Sequence, residues 1–195
     1  DILIGTHVQL YTQTAIRFAD MIEPYNILWF EEPVPPENVD EMAKVAESTS
    51  IPIATGERLL TSHQVADILD AGAAQIIQPN VGMTGLLEAK KIAGMCESQY
   101  VQIAPWMYCG PVAGAACLHL AACTPNFLLQ EGIGTWDGFH AKILERAIEW
   151  EAGFVLPPKK PGLGVSLDES VLDEHPRNEL EAPERRYQYQ RHNVP

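Results

Sequence analysis

The strongest constraint in this sequence is a recurrence of about 25 residues. Short apolar runs lie at Ile2-Leu3-Ile4, Ile27-Leu28-Trp29-Phe30, Ile51-Pro52-Ile53-Ala54, Gln75-Ile76-Ile77, Val101-Gln102-Ile103-Ala104 and Phe127-Leu128-Leu129. Just past each run stands a polar or otherwise distinctive residue: Gly5, Glu31, Glu57, Asn80, Trp106 and Glu131, spaced 26, 26, 23, 26 and 25 positions apart. Between the runs, apolar residues recur at helical spacing, as in Ala15, Ile16, Phe18, Ala19 and Ile22. The same holds for Val39, Met42 and Ala46, for Val65, Ile68 and Leu69, and for the stretches Leu86 to Cys96 and Val112 to Cys123. A strand, a helix and a return at this period predict consecutive βαβ units on a parallel sheet. The runs are apolar throughout, as strands covered by helices are.

Two architectures accommodate that pattern, an open doubly wound sheet and a closed (β/α)₈ barrel. The even period and the lack of a Gly-rich phosphate loop after any strand favour the barrel. A complete barrel takes about 250 residues, so six units predict a partial barrel holding about six of the eight strands. The first two strands and an N-terminal capping domain would then be the absent parts. Asp1 opens directly into an apolar run, without an initiating Met, and reads as a cut. The predicted barrel domain is 1–167, truncated at its N-terminus, and 168–195 is a polar tail. Within that tail Asp168 to Glu174 is expected to form a short helix and Glu179 to Pro195 a flexible charged end.

Charge then narrows the function. With 26 acidic against 13 basic side chains the net charge is −13, which opposes nucleic-acid binding and a polybasic membrane surface. No apolar run approaches the length of a membrane span, and the N-terminus carries no signal-peptide pattern. Cys96, Cys109, Cys117 and Cys123 form no C-x-x-C pair and read as reduced core residues of a cytoplasmic protein.

In a barrel the carboxyl ends of the strands face one mouth. Glu31 and Glu57 end successive strands at equal register, and Glu131 ends a third. Adjacent carboxylates repel unless a cation or a proton lies between them, and an oxygen-only donor set suits Mg²⁺. Glu31 and Glu57 are therefore the expected metal ligands.

These residues carry a resemblance. Trp29-Phe30-Glu31-Glu32-Pro33-Val34-Pro35-Pro36-Glu37-Asn38, Ser50-Ile51-Pro52-Ile53-Ala54-Thr55-Gly56-Glu57-Arg58 and Ile76-Ile77-Gln78-Pro79-Asn80 resemble the mandelate racemase/muconate lactonizing enzyme family of the enolase superfamily. Its galactonate dehydratase-type sugar-acid dehydratases are the most similar. Glu88 to Ala93, Ala104-Pro105, Pro125 to Glu131 and Pro161-Gly162-Leu163-Gly164-Val165 extend the likeness over about residues 1–167. The resemblance implies a Mg²⁺-dependent hydro-lyase. It would abstract the proton α to a carboxylate, stabilise the enediolate at the metal, and expel a β-hydroxyl as water. It also implies His7 as general acid on the leaving hydroxyl, Glu131 beside the substrate, a sugar-acid substrate and a homo-oligomeric full-length protein.

The sequence departs from the family pattern at three positions. Gly5 stands where a third, Asp, metal ligand is expected. Asn80 and Trp106 stand where an Asp–His proton-abstracting dyad is common, and they are assigned here to substrate binding. A Lys base, if used, would lie upstream of Asp1. A racemase or cycloisomerase of the same superfamily is one alternative. A degenerate barrel that binds metal or a sugar acid without turnover is another. His63, His119, His140, His175 and His192 read as structural or solvated, and Lys159-Lys160 as a solvated pair. Trp106 and Tyr108 either pack the mouth or line a pocket. Tyr187 to Tyr189 beside Arg185-Arg186 read as tail rather than partner site.

Overall fold

A computed structural model describes residues 1–175 of the chain. Five parallel strands, β1 (Leu3–Gly5), β2 (Trp29–Glu31), β3 (Ile53–Thr55), β4 (Ile76–Ile77) and β5 (Gln102–Ile103), form one sheet in sequential order. Helices α1 (Thr12–Ile22), α2 (Val39–Glu47), α3 (Ser62–Asp70) and α4 (Val81–Ser98) make the crossovers, and α5 (Pro111–Ala122) follows β5. This is the α/β architecture expected of a partial barrel, with each predicted helix in place. The helix starts follow from local chemistry. Asn38 accepts from the Glu41 amide, and Thr61 and Gln64 form a reciprocal capping box. Helix α4 begins earlier than its periodicity suggested, because Gly85 takes φ +74° and joins a short first turn to the main helix across a kink.

Alternation along the strands sorts their side chains into two layers. Phe30, Ile53, Ile77 and Ile103 pack outward onto the helices with Ala19, Met42, Val65, Ile68 and Ile92. Trp29, Ala54, Ile76 and Ala104 make a second cluster with Leu128 and Leu129, on the other face of the sheet. Phe30, Ile53, Ile77 and Ile103 are fully buried, each worth about 1.5–3 kcal/mol in removal from water. Because Trp29 faces the inner layer, Glu31, two residues on, faces it too.

The sixth run does not extend the sheet as a strand. Phe127 makes one parallel bridge with Ile103, flanked by Ile103 N–H to Asn126 O (2.9 Å) and Leu128 N–H to Ile103 O (2.8 Å). The Phe127 amide is drawn back to Thr124 O, and the carbonyl of Pro105 is satisfied by the Gln130 side chain instead of a backbone amide. Beyond this point the chain becomes irregular. It has a single turn, α6 (Phe139–Lys142), an antiparallel hairpin, β6 (Trp150–Glu151) with β7 (Phe154–Val155), and α7 (Glu169–Glu174), which Asp168 caps. The expected short helix is thus present. The flexible-end expectation for Glu179 to Pro195, with Tyr187, Tyr189 and His192, falls outside the described residues.

All four cysteines are free, but only Cys96 and Cys117 belong to the core; Cys109 is half-buried and Cys123 exposed. The core reading of Cys123 is corrected by its place at the C-terminal end of α5, where the buried face has run out. Among the described residues no helix is long and apolar enough to cross a membrane.

Candidate active site

The site lies where β1, β2 and β3 end. Gly5 pairs in register with Glu31, and Glu31 with Ala54. Two neutral donors from opposite sides hold the Glu31 carboxylate. Trp29 Nε1 donates to its Oε2 at 3.1 Å, and Gln78 Nε2, beyond β4, donates to the same oxygen at 2.7 Å. Two residues past β3 comes Glu57, delivered by a backbone that only glycine tolerates. Gly56 has φ +139°, and a Cβ there would lie 2.7 Å from the Gln78 amide nitrogen.

Between β1 and α1 the chain makes a strained turn, with His7 at φ +51° and Val8 at φ +58°. A β-branched residue in the left-handed region is costly, and it persists only where surroundings fix it. Here the Val8 amide donates to Glu32 O at 2.9 Å and the Thr6 amide to Glu31 O at 3.2 Å. The Thr6 hydroxyl also donates to Glu32 O, at 3.1 Å. Glu32 itself sits at φ +40°. The turn thereby sets His7 Nδ1 3.6 Å from Glu57 Oε1.

Two residues of this polar cluster escaped the sequence reading. Glu32 is 1% exposed and lies with His7 and Glu57 in a group whose donor atoms are all within 4.8 Å of one another. Its position directly after Glu31 was the available signal, but simple alternation sends it away from the mouth, and its positive φ undoes that. Arg58 is the second. Its Nε donates to Glu32 Oε2 at 2.9 Å, and its Nη2 lies 3.2 Å from Glu57 Oε1 and 2.9 Å from His7 Nδ1. Burial pushes the Glu32 carboxyl above its ordinary range, the Arg58 hydrogen bond opposes this, and the charges of Glu57 and Glu31 add to the rise.

Glu131 joins the same field from the sixth run. Its Oε2 accepts from the Met107 amide at 2.6 Å. Burial raises its pKa, the Met107 amide lowers it, and the charges of Glu31 and Glu57 raise it again. The structure therefore groups His7, Glu32 and Glu57 closely, leaves Glu31 outside that group, and sets Glu131 where the charges of Glu31 and Glu57 reach it. Asn80 and Trp106 form a separate parallel bridge on the β4–β5 side. Asn80 is buried, its Oδ1 without a hydrogen-bond partner among the described residues, and half-buried Trp106 lies against exposed Tyr108 with ring centroids 6.2 Å apart.

The donor set can be weighed against a divalent cation. Carboxylate oxygens at the end of a parallel sheet suit a hard cation completed by water. Glu31 and Glu57 supply two. A Cβ built at Gly5 would lie 3.8 Å from Glu31 Oε1, an ordinary contact, so there is room for a third donor but no side chain to provide it. The residues fit a two-carboxylate site, with the Arg58 guanidinium already engaging Glu57.

Comparison with known proteins follows the same lines. Residues 1–171 match the enolase C-terminal domain-like family. The chain is 38% identical over 178 residues to the D-galactonate dehydratase of Ralstonia nicotianae, covering 88% of this chain and 46% of that protein. A mandelate racemase/muconate lactonizing enzyme-type protein from Burkholderia SAR-1 superposes with TM-score 0.90 at 53% identity, over 92% of this chain and 45% of that one. The mandelate racemase/muconate lactonizing enzyme from a Sulfitobacter species gives 0.87 at 48% identity, over 90% and 44%. The chain spans about half the length of the curated relatives it matches.

Proposed function

The chain belongs to the enolase C-terminal domain-like family, and on that premise we propose that it forms the barrel portion, over 1–167, of a sugar-acid dehydratase. The observation that carries the reading is His7 set 3.6 Å from Glu57 just past β3, with Glu31 ending β2 beside it in the sheet and Glu131 held by the Met107 amide. The likeness to the D-galactonate dehydratase of Ralstonia nicotianae supports a sugar acid as substrate.

Glu31 and Glu57 would hold a divalent cation, taken here as Mg²⁺. When bound it would supply the positive charge that offsets negative charge gathering on the substrate carboxylate as the α-proton leaves. Glu31 is kept in place for this by Trp29 and Gln78. Glu131, fixed by the Met107 amide, lies beside the substrate. His7 delivers a proton to the β-hydroxyl so that it departs as water and not as hydroxide, a contribution of about 10²–10⁴-fold. Asn80 offers Oδ1 to a substrate hydroxyl, and Trp106 gives the sugar an apolar wall. Homo-oligomeric assembly and cytoplasmic residence belong to the same proposal; four free cysteines support the latter.

A second reading, a barrel that binds a sugar acid without turnover, is favoured by Asn80 and Trp106, neither of which can abstract a proton. One experiment decides between them. The protein is incubated with Mg²⁺ and a panel of aldonic acids in D₂O, and 2-keto-3-deoxy product and α-deuteration are followed by NMR. Product formation that is lost in Glu57→Gln supports the dehydratase. Deuteration without water loss indicates a racemase-type reaction, and substrate binding without either indicates the non-catalytic barrel.

A further inference from the structure

Past the bridge of Phe127 with Ile103, no backbone ladder joins the sixth run to the segment that follows β5. Among the described residues two hydrogen bonds join them there, and both use side chains of the sixth run. Gln130 Nε2 donates to Pro105 O at 3.1 Å, and the Met107 amide donates to Glu131 Oε2 at 2.6 Å. Gln130 Nε2 also donates to Glu131 O, at 2.9 Å. Both of its partners are carbonyl oxygens, which only accept, so the side-chain amide must present its NH₂ group to them. One nitrogen thus ties the carbonyl of Pro105 to the carbonyl of Glu131.

The surroundings hold both ends of this clamp. Met107 is buried and packs with Leu118 and Trp136, so its amide has a fixed origin. On the other side Gly132 packs against two indoles, and a Cβ there would stand 3.2 Å from Trp136 Nε1 and 3.3 Å from Trp150 Cη2. Holding a glutamate side chain in one rotamer opposes considerable entropy. The single bond to Oε2 fixes the carboxylate but not the main chain from which it springs.

We propose that Gln130 is a positioning residue for Glu131: by clamping the Pro105 and Glu131 carbonyls it fixes the distance between the two segments and seats the Glu131 carboxylate on the Met107 amide. Trp106 lies between Pro105 and Met107, so the same clamp sets the spacing between that indole and Glu131. A misplacement of about 1 Å at a reacting centre can cost about 10²-fold in rate. The consequence for turnover rests on the dehydratase reading, but the clamp itself can be tested apart from it.

The test reads the Met107 amide by NMR in ¹⁵N-methionine-labelled protein without metal or substrate. Its signal is the one lost in Met107→Leu, an exchange of similar volume. An amide bonded to a carboxylate makes a charge-assisted bond, and its proton resonates downfield. Glu131→Gln gives its position without the charge. Gln130→Met keeps the side-chain length and removes both donors. In it the signal is expected to move in the same direction as in Glu131→Gln, and its exchange with solvent to quicken about tenfold. Gln130→Asn keeps the amide but draws it back by one methylene, and gives the same readout should the first variant not fold. An unchanged Met107 amide in either folded variant overturns the inference. In the turnover assay Gln130→Met is expected to lower kcat/KM by about 10–100-fold. In a Glu131→Gln background it should lower it by less than about threefold, because the two residues act as one unit. Equal losses in both backgrounds would show a role that does not pass through Glu131 and overturn the proposal. A protein inactive on every sugar acid would defeat the dehydratase reading while leaving the Met107 amide to decide the role of Gln130.

Discussion

The two sides of the barrel mouth are built from the same repeat and have opposite chemistry. The β1–β3 side carries His7, Glu31, Glu32, Glu57 and Arg58, and each of these side chains engages another polar group. The β4–β5 side carries Asn80 and Trp106, and there a buried amide oxygen has no hydrogen-bond partner among the described residues. Charge at a sheet end persists only where countercharge and donors accompany it, so the acidic side is a network. A neutral amide left unsatisfied costs about 1–3 kcal/mol, far less than an unpaired buried charge, and stays available to a ligand. The function proposed above accordingly assigns cation binding and proton delivery to one half of the mouth, and shape and hydroxyl recognition to the other.

The sharpest way to break that division is metal binding. Glu31→Gln and Glu57→Gln are each expected to weaken Mg²⁺ binding in calorimetric titration by more than about 100-fold, exceeding the loss from outer-shell changes. Asn80→Ser and Trp106→Phe should leave it within about threefold. Comparable losses on both sides would end the comparison.

Next in size is stability. Arg58→Met removes the partner of a carboxylate that is 1% exposed, and should cost about 3 kcal/mol in urea unfolding, the lower end for a broken buried pair. Adding Glu32→Gln should recover more than half of it. On the neutral side Asn80→Leu breaks no side-chain hydrogen bond and should cost less than about 1 kcal/mol. An Asn80→Leu loss equal to that of Arg58→Met would show that the buried amide is structurally engaged after all.

Much of this molecule is legible in its sequence because the repeat is a physical one. Apolar runs at even spacing specify strands that must be covered on both faces, and Phe30, Ile53, Ile77 and Ile103 of those runs are buried beneath the helices. Glu31 and Glu57 follow because a strand end is a place the period can locate. What periodicity cannot locate is a side chain whose direction depends on an unusual backbone. Glu32 turns toward the site only through φ +40°, and Arg58 reaches His7 across 51 residues of sequence. The sixth run fails to become a strand for a related reason. A carbonyl taken by the Gln130 side chain and an amide drawn back to Thr124 leave only a single bridge where apolarity alone predicts a ladder.

The smallest expected effect concerns the joint between the two sides. Helix α3 follows β3 on the charged side, α4 follows β4 on the neutral side, and Glu88 of α4 accepts from the Ser62 amide at the first residue of α3, at 2.8 Å. A carboxylate at a helix N-terminus meets both free amides and the positive end of the dipole. That amide, with help from the Ser62 side chain and Lys91, lowers the Glu88 pKa from 4.5 to about 2. A depressed carboxylate pKa gives stability that is fully present above the unfolded value, and the contribution is lost as the pH falls through the folded value. The window here therefore runs from 4.5 down to about 2. Glu88→Gln keeps an acceptor for Ser62 but removes the charge, so it should lower the urea midpoint slightly at neutral pH. The gap from wild type should close as the pH is taken down through that window, and should narrow with added salt because Glu88 is exposed to solvent screening. A gap that stays constant with pH would mean that the hydrogen bond alone, and not the carboxylate charge, couples the helix that follows β3 to the helix that follows β4.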